Sequence, residues 1–336
     1  MTTLAYVSCA GSGEVQVLSV DAASGSLALR QKVELGGMLM PMTIARDGRH
    51  LHVARRSEPL AVATLAIDAG TGLLTRAGEA PLPHSMAYLS TDASGRYLFS
   101  ASYGGHRIAV SPIGEDGLPL AATQVLPTGD NAHCILQAPG SGHVYSTCLG
   151  GATVLHWHFD AVAGQLSPAE PAQLAFPANV GPRHLVFHPS GRRCYLLGEL
   201  DASVTLLDID AATGGLSSRQ TVSALPAGFN DGAWASDLHL SPDARFLYAS
   251  ERRSNTLAAF AVDPMDGTLT PIGHVPTERQ PRGFAITPDG GFLLAAGQLS
   301  HRVTSYAIDA TRGALTPCDS LDVGQDPNWI ECRTAF

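Results

Sequence analysis

The chain contains a single lysine, Lys32, among its 336 residues, so nearly all of its basic charge is arginine. Lysine and arginine together number 21 against 30 acids, for a net charge of −9, and no basic tract occurs. That pattern argues against nucleic acid as a partner. No apolar run reaches the roughly 18 residues that a helical membrane span needs, so no membrane partner is expected. The start, Met1 to Tyr6, lacks a basic region followed by an apolar core, so no secretory leader is expected. The six cysteines Cys9, Cys134, Cys148, Cys194, Cys318 and Cys332 form no CxxC pair. They read as free thiols, mostly buried, in a reducing cytoplasm. Neither GxSxG nor HExxH is present, which removes two common hydrolase signatures. Gly11-Ser12-Gly13 lacks the Lys-Ser/Thr of a phosphate loop. Helical periodicity is nowhere convincing. The acidic balance still leaves room for an anionic small molecule, because a local cluster of Arg and His can override the global field.

What is present is a repeat. An apolar strand is followed by Asp, a short turn, Gly and Leu. The copies carry Asp21, Gly25 and Leu27; Asp68, Gly72 and Leu74; Asp160, Gly164 and Leu166; Asp210, Gly214 and Leu216; Asp263, Gly267 and Leu269; and Asp309, Gly313 and Leu315. A degenerate copy ends at Gly117-Leu118, and the glycines recur every 45 to 53 residues. Between these copies lies a second unit, a strand, a Pro/Asp/Gly turn and a strand with a bulky residue. Ser241-Pro-Asp-Ala-Arg-Phe-Leu-Tyr248 and His188-Pro-Ser-Gly-Arg-Arg-Cys-Tyr195 are examples. Asp bonds the backbone just ahead of it in such turns, and Gly accepts positive φ. Two hairpins per period of about 40–50 residues are the signature of a β-propeller blade. The expectation is an all-β fold: one seven-bladed β-propeller domain over residues 1–336, with four antiparallel strands per blade. An open blade would leave an edge. Closure is predicted by residues 328–334 joining the N-terminal blade beside Leu4–Ser8.

In this frame the starts of the first, innermost strands and the ends of the second strands share one rim. First-strand starts are predicted at Met42, Ser85, His133, Arg183, Asp237, Arg282 and Trp329, and second-strand ends at Arg56, Tyr103, Cys148, Glu199, Arg252 and Gln298. Arg183 begins an inner strand and Glu199 ends its hairpin partner, so a cation and a carboxylate are expected to face each other. Side chains alternate along a strand, so only one of Arg183 and His184 is expected to point inward. Arg183 is the choice, as a clamp for a carboxylate or a developing oxyanion. His133 enters from the preceding blade. The candidate catalytic set is His133, Arg183 and Glu199. Candidate substrate-binding residues are His184, Asp237, Arg282, Gln298, Trp329 and Tyr103. His156-Trp157-His158 has metal-like spacing but no acidic or Cys partner in the sequence, so no metal or other cofactor is expected.

The stretches Gly181-Pro-Arg-His-Leu-Val-Phe-His-Pro189, Glu199-Leu200, Trp234-Ala-Ser-Asp-Leu-His-Leu-Ser-Pro-Asp243, Gln280-Pro-Arg-Gly-Phe284, Ala296-Gly-Gln298 and Gly324-Gln-Asp-Pro-Asn-Trp329 resemble the β-propeller lactonase family. That family includes bacterial 6-phosphogluconolactonases of the propeller type and fungal carboxymuconate-lactonising enzymes. The resemblance implies metal-free hydrolysis of a sugar-acid δ-lactone, with the family's functional His, Arg and Glu on His133, Arg183 and Glu199. It implies a small-molecule lactone as the partner of a cytoplasmic monomer or weak homo-oligomer. The scarcity of lysine is a departure. A substrate phosphate would have to use Arg55, Arg56, Arg252, Arg253, Arg282 or Arg302, whereas an unphosphorylated aldaric or uronic-acid lactone needs fewer cations. A lactonising cycloisomerase and a non-catalytic interaction propeller are the alternatives.

Overall fold

The computed structural model describes residues 3–334, and among them every regular element is a β-strand. The sheets each hold four antiparallel strands. The first runs β28 (Pro327–Thr334), β1 (Thr3–Cys9), β2 (Glu14–Val20) and β3 (Leu27–Glu34). The second runs β4 (Leu39–Ile44), β5 (His50–Arg55), β6 (Ala61–Ile67) and β7 (Leu74–Pro81). The third holds β8 (Tyr88–Thr91), β9 (Tyr97–Ser102), β10 (Arg107–Pro112) and β11 (Gln124–Pro127). The fourth holds β12 (Ala132–Gln137), β13 (His143–Cys148), β14 (Thr153–Asp160) and β15 (Gln165–Ala175). The fifth holds β16 (Pro182–Phe187), β17 (Arg193–Gly198), β18 (Ser203–Ile209) and β19 (Leu216–Ser223). The sixth holds β20 (Ala235–Leu240), β21 (Phe246–Glu251), β22 (Thr256–Val262) and β23 (Leu269–Pro276). The seventh holds β24 (Pro281–Ile286), β25 (Phe292–Gly297), β26 (Arg302–Ile308) and β27 (Leu315–Asp322).

These are the seven blades of a β-propeller. The predicted closure is present: β28 pairs with β1 from Thr3↔Thr334 to Cys9↔Pro327. By residue contacts the chain forms two compact units. One comprises residues 1–40, 67–75 and 222–336, the other residues 41–66 and 76–221. Each is built from blades packed face to face. In the first unit Phe246, Tyr248 and Leu257 pack with Phe284, Leu293 and Tyr306 of the next blade. In the second, Phe99, Ile108 and Val110 pack with Ile135, Val144 and Trp157. Because both faces of a blade are covered, the second strands are buried along most of their length, polar residues such as Ser250 and Glu251 of β21 included. All of β21 and β25 is buried, whereas the outer strand β3 is largely exposed.

The two sequence signatures meet between neighbouring blades. The hydroxyl of Tyr145 on β13 donates to the carbonyl of Gly214 at 2.6 Å, and Tyr248 on β21 donates to Gly313 at 2.9 Å. The glycine is required there. Gly313 has φ +69°, and a Cβ would lie 2.3 Å from the Phe246 ring. The degenerate third copy has a physical form: β11 is only four residues long, preceded by an isolated Ile113–Pro119 bridge. Ser85 is expected at the start of an inner strand, but β8 begins at Tyr88, and His84 and Ser85 precede it. They lie in the approach to it, where Ser102 Oγ donates to the Ser85 carbonyl at 2.8 Å.

Candidate active site

The inner strands share one local device. In β16, Pro182 pairs with Gly198 and His184 with Leu197, so Arg183 is an extra residue opposite none. The same one-residue excess falls on His133 in β12, Arg282 in β24 and Asn328 in β28, and within Ser236–Asp237 in β20. A bulge unpairs one residue and re-aims side chains that strict alternation would send to opposite faces. Arg183 and His184 are both 4% exposed; Arg183 meets Glu199, and His184 meets the rings of Tyr88 and His133.

A hydroxyl holds the bulges of neighbouring blades in register. Thr147 on β13 accepts from the Cys134 amide at 3.0 Å and donates to the Arg183 carbonyl at 2.7 Å. His133 and Arg183 are thereby fixed relative to each other. Arg183 Nη1 donates to Glu199 Oε2, and the two side chains are 4% and 10% exposed. Glu199 is set by its own backbone, whose amide bonds the Gly181 carbonyl at 2.9 Å. Gly181 has φ +61°, and a Cβ there would lie 2.6 Å from Leu200, so this turn also requires glycine.

Beside the ion pair runs a row of rings. Tyr88 meets His184 edge-on at 5.3 Å, His184 lies 5.1 Å from His133, and His133 meets Tyr103 edge-on at 6.0 Å. Asn131, with φ +59°, anchors the row by donating to the Tyr103 carbonyl at 3.2 Å. Five of the candidate residues, His133, Arg183, His184, Glu199 and Tyr103, thus come together in the unit formed by residues 41–66 and 76–221. Tyr88, Ser85 and Arg56 belong to this neighbourhood; Ser85 and Arg56 are rim positions in the sequence, Arg56 also one of six arginines open to a phosphate, and Tyr88 has no sequence signal. Arg56 Nε donates to Ser85 Oγ at 3.0 Å. Burial, and then the charge of Arg183, pull the Arg56 guanidinium below its ordinary value.

The other four candidates lie in the other unit. Asp237 accepts from its neighbour Leu238, from the Phe284 amide at 3.1 Å and from His239 at 3.2 Å. Gln298 accepts from Gln280 at 2.9 Å and donates to Asp326 at 2.6 Å. Trp329 Nε1 donates to Glu331 at 2.9 Å, and the Arg282 carbonyl receives Ser236 Oγ at 2.6 Å. The contacts to Phe284, Gln280, Asp326 and Ser236 tie one blade element to another, whereas those of Asp237 with His239 and of Trp329 with Glu331 lie within one strand. Burial pushes Glu331 up to about 7. For His239 burial acts downward, but Asp237 and Glu331 outweigh it and the net shift is upward. In the sequence His239 shares a strand face with Asp237, whereas Glu331 carries no motif that marks it. His156 bonds the Pro171 carbonyl at 2.8 Å and His143 at 2.9 Å. Among the described residues no group of three or more His, Cys, Asp or Glu is placed to hold a metal.

A seven-bladed propeller with a buried Arg–Glu pair and a His beside it defines the class: an enzyme-like propeller site on bulged inner strands. The family described as "Lactonase, 7-bladed beta-propeller" matches residues 2–332, and the chain belongs to it. A 6-phosphogluconolactonase of Pectobacterium carotovorum is 42% identical over 286 residues, covering 85% of each chain. The Yersinia pestis 6-phosphogluconolactonase is 37% identical over 335 residues, covering 100% of this chain and 99% of the relative. Among solved structures, the periplasmic gluconolactonase of Pseudomonas aeruginosa superposes with a TM-score of 0.90 at 29% identity, over the whole of both chains.

Proposed function

We propose that the chain hydrolyses a sugar-acid lactone of the 6-phosphogluconolactone type. The observation that carries the reading is the buried Arg183–Glu199 pair with His133 beside it. The names of the relatives support the substrate class. Water attacks the ring carbonyl. Arg183 donates to the oxygen on which charge develops. Glu199, held in contact with Arg183, takes the proton of the attacking water. His133 returns a proton to the ring oxygen as the carbon–oxygen bond breaks, so that oxygen leaves as a hydroxyl. The product is the open-chain hydroxy acid, which ionises and releases one proton to solvent. His184 and Tyr103 line the substrate.

The test is proton release from a panel of phosphorylated and unphosphorylated δ-lactones. Release of one proton per lactone consumed, with solvent oxygen from labelled water in the acid product, is the expected result. Consumption without label transfer means proton-transfer isomerisation and overturns hydrolysis. We further propose that residues 1–336 act as one domain, as a monomer or weak homo-oligomer in the cytoplasm. Six free thiols support the reducing location. Cell fractionation and sedimentation test these points, with recovery in the periplasm the contrary result.

A further inference from the structure

Among the arginines available to an anion, most are already committed. Arg55 clasps Glu79 through both terminal nitrogens at 3.2 and 3.0 Å. Arg252 spends its guanidinium on the Trp234 and Ala235 carbonyls, each at 3.1 Å, and lies over the Trp234 ring. Arg253 bonds the Asp231 carbonyl at 2.7 Å, and Arg302 pairs with Asp322 at 3.0 Å. Arg56 differs. It is half-buried, and Ser85 fixes it through Nε alone. Its two terminal nitrogens have no hydrogen-bond or ion-pair partner among the described residues. Ser85 is itself held, because its carbonyl receives Ser102 Oγ at 2.8 Å. Arg56 also stands close enough to Arg183 to feel its charge. Arg183 has Glu199 as counter-charge; Arg56 has no carboxylate partner among the described residues. A cation withdrawn from water and set near another cation is costly unless something supplies negative charge. A guanidinium held by Nε presents its other edge as a fork for two oxygens of one anion.

We propose that Arg56 is the specificity-determining residue of this site: its open guanidinium edge receives the anionic group that the lactone carries away from its ring carbonyl, leaving Arg183 and Glu199 to the carbonyl itself. This rests on the lactonase reading. A phosphate and a carboxylate share the required chemistry, and the substrates in the test separate them.

The experiment measures steady-state kinetics of the parent, Arg56→Gln, Arg56→Lys and Ser85→Ala on three δ-lactones, one phosphorylated, one carrying a carboxylate and one neutral. Loss of a charge-assisted contact predicts that Arg56→Gln raises KM about 10- to 100-fold for the anionic lactone the parent prefers. The kcat for that lactone, and hydrolysis of the neutral one, stay within about two-fold of the parent. Arg56→Lys recovers part of the loss, as a point charge without the fork. Ser85→Ala shows a smaller rise in KM for the same lactone. Equal losses on neutral and anionic lactones overturn the proposal, as does no loss on either. If Arg56→Gln does not fold, Arg56→Lys carries the test, with a selective rise in KM for the anionic lactone expected. If the parent opens none of the lactones, the lactonase reading fails and Arg56 is judged by calorimetric titration with inorganic phosphate. Binding weakened in Arg56→Gln supports the anion site. Equal binding in both proteins, or none in the parent, overturns it.

Discussion

Replacing Glu199 by Gln removes the charge and the basicity while keeping the shape. Two consequences follow, and they are separable. The chemical one is loss of the group proposed to take the proton of water, which costs about 100- to 10,000-fold in turnover. Arg183→Met removes the proposed donor to the developing oxyanion and costs about 100- to 1,000-fold. The structural consequence arises because the pair is buried, at 4% and 10% exposure. Taking away one partner leaves the other charge uncompensated, at about 3–5 kcal/mol. At about 2 °C per kcal/mol for a long chain, each single variant melts roughly 6–10 °C below the parent.

The double variant, Arg183→Met with Glu199→Gln, separates the two effects. Removing both charges together leaves neither stranded, so most of the lost stability returns. Turnover does not return, because neither proton acceptor nor oxyanion donor is present. The assays are thermal melting and initial rates of proton release on the same preparations, with His158→Ala as an exposed control expected to behave as the parent. Parental turnover in Glu199→Gln would refute its role as the base. The reasoning is refuted equally if the double variant regains activity along with stability, since the single-variant losses were then folding defects.

Three further outcomes are expected. His133→Gln, which removes the proposed proton donor to the ring oxygen, lowers turnover about 100-fold or more and abolishes the alkaline limb of the pH–rate profile; an unchanged limb excludes that role. Deleting residues 328–336 strips β28 from β1 along the whole Thr3–Cys9 register, so the truncated protein melts well below the parent, and equal melting temperatures contradict the closure. Glu331, pushed up to about 7 by burial, keeps in the folded state a proton that the unfolded chain releases near its ordinary value. The unfolded state binds fewer protons in that window, so stability falls as pH rises from about 4.5 to about 7. The raised His239 adds to the fall in the same direction. Glu331→Gln flattens this part of the stability curve, and a curve as steep as the parent's rules the mechanism out.

The blade count and the closure were legible because they rest on local chemistry repeated at a fixed period. An Asp that accepts its own turn amides and a Gly at positive φ leave the same mark in each copy. Asp309, for example, takes the Thr311 and Arg312 amides at 2.8 and 2.9 Å ahead of Gly313. The facing of Arg183 and Glu199 followed from hairpin geometry. The ring contacts of His184 with Tyr88 and His133 did not, because alternation assumes an unbroken ladder and the extra residue at Arg183 breaks it. Nor could sequence separate Arg56 from Arg55. The two differ in what surrounds them, Glu79 for one and Ser85 with Arg183 for the other. Those neighbours come from other blades or from strands far along the chain.

The repeated bulge gives a way to tell scaffold from site. Asn328 stands at the bulge of β28, as Arg183 does in β16. Its side chain meets only scaffold in the contacts seen: it lies 2.9 Å from Ser8 Oγ and donates to the carbonyls of Leu39 at 3.2 Å and Asp326 at 2.9 Å. Arg183, at the equivalent place, meets a carboxylate. A position whose polar groups are consumed by backbone holds the blades, and one that meets an ionisable side chain is available to chemistry. The two kinds should respond oppositely to substitution. Asn328→Ala strands the Leu39 and Asp326 carbonyls and the Ser8 hydroxyl, each at about 1–3 kcal/mol where burial denies water, so melting falls by several degrees. The kcat of the molecules that remain folded should match the parent, because no reacting group has moved. Arg183→Met with Glu199→Gln shows the reverse, stability largely kept and turnover gone. Loss of kcat in well-folded Asn328→Ala, at a temperature far below its melting point, would mean that bulge residues serve catalysis as a set, and the distinction drawn between them would fall.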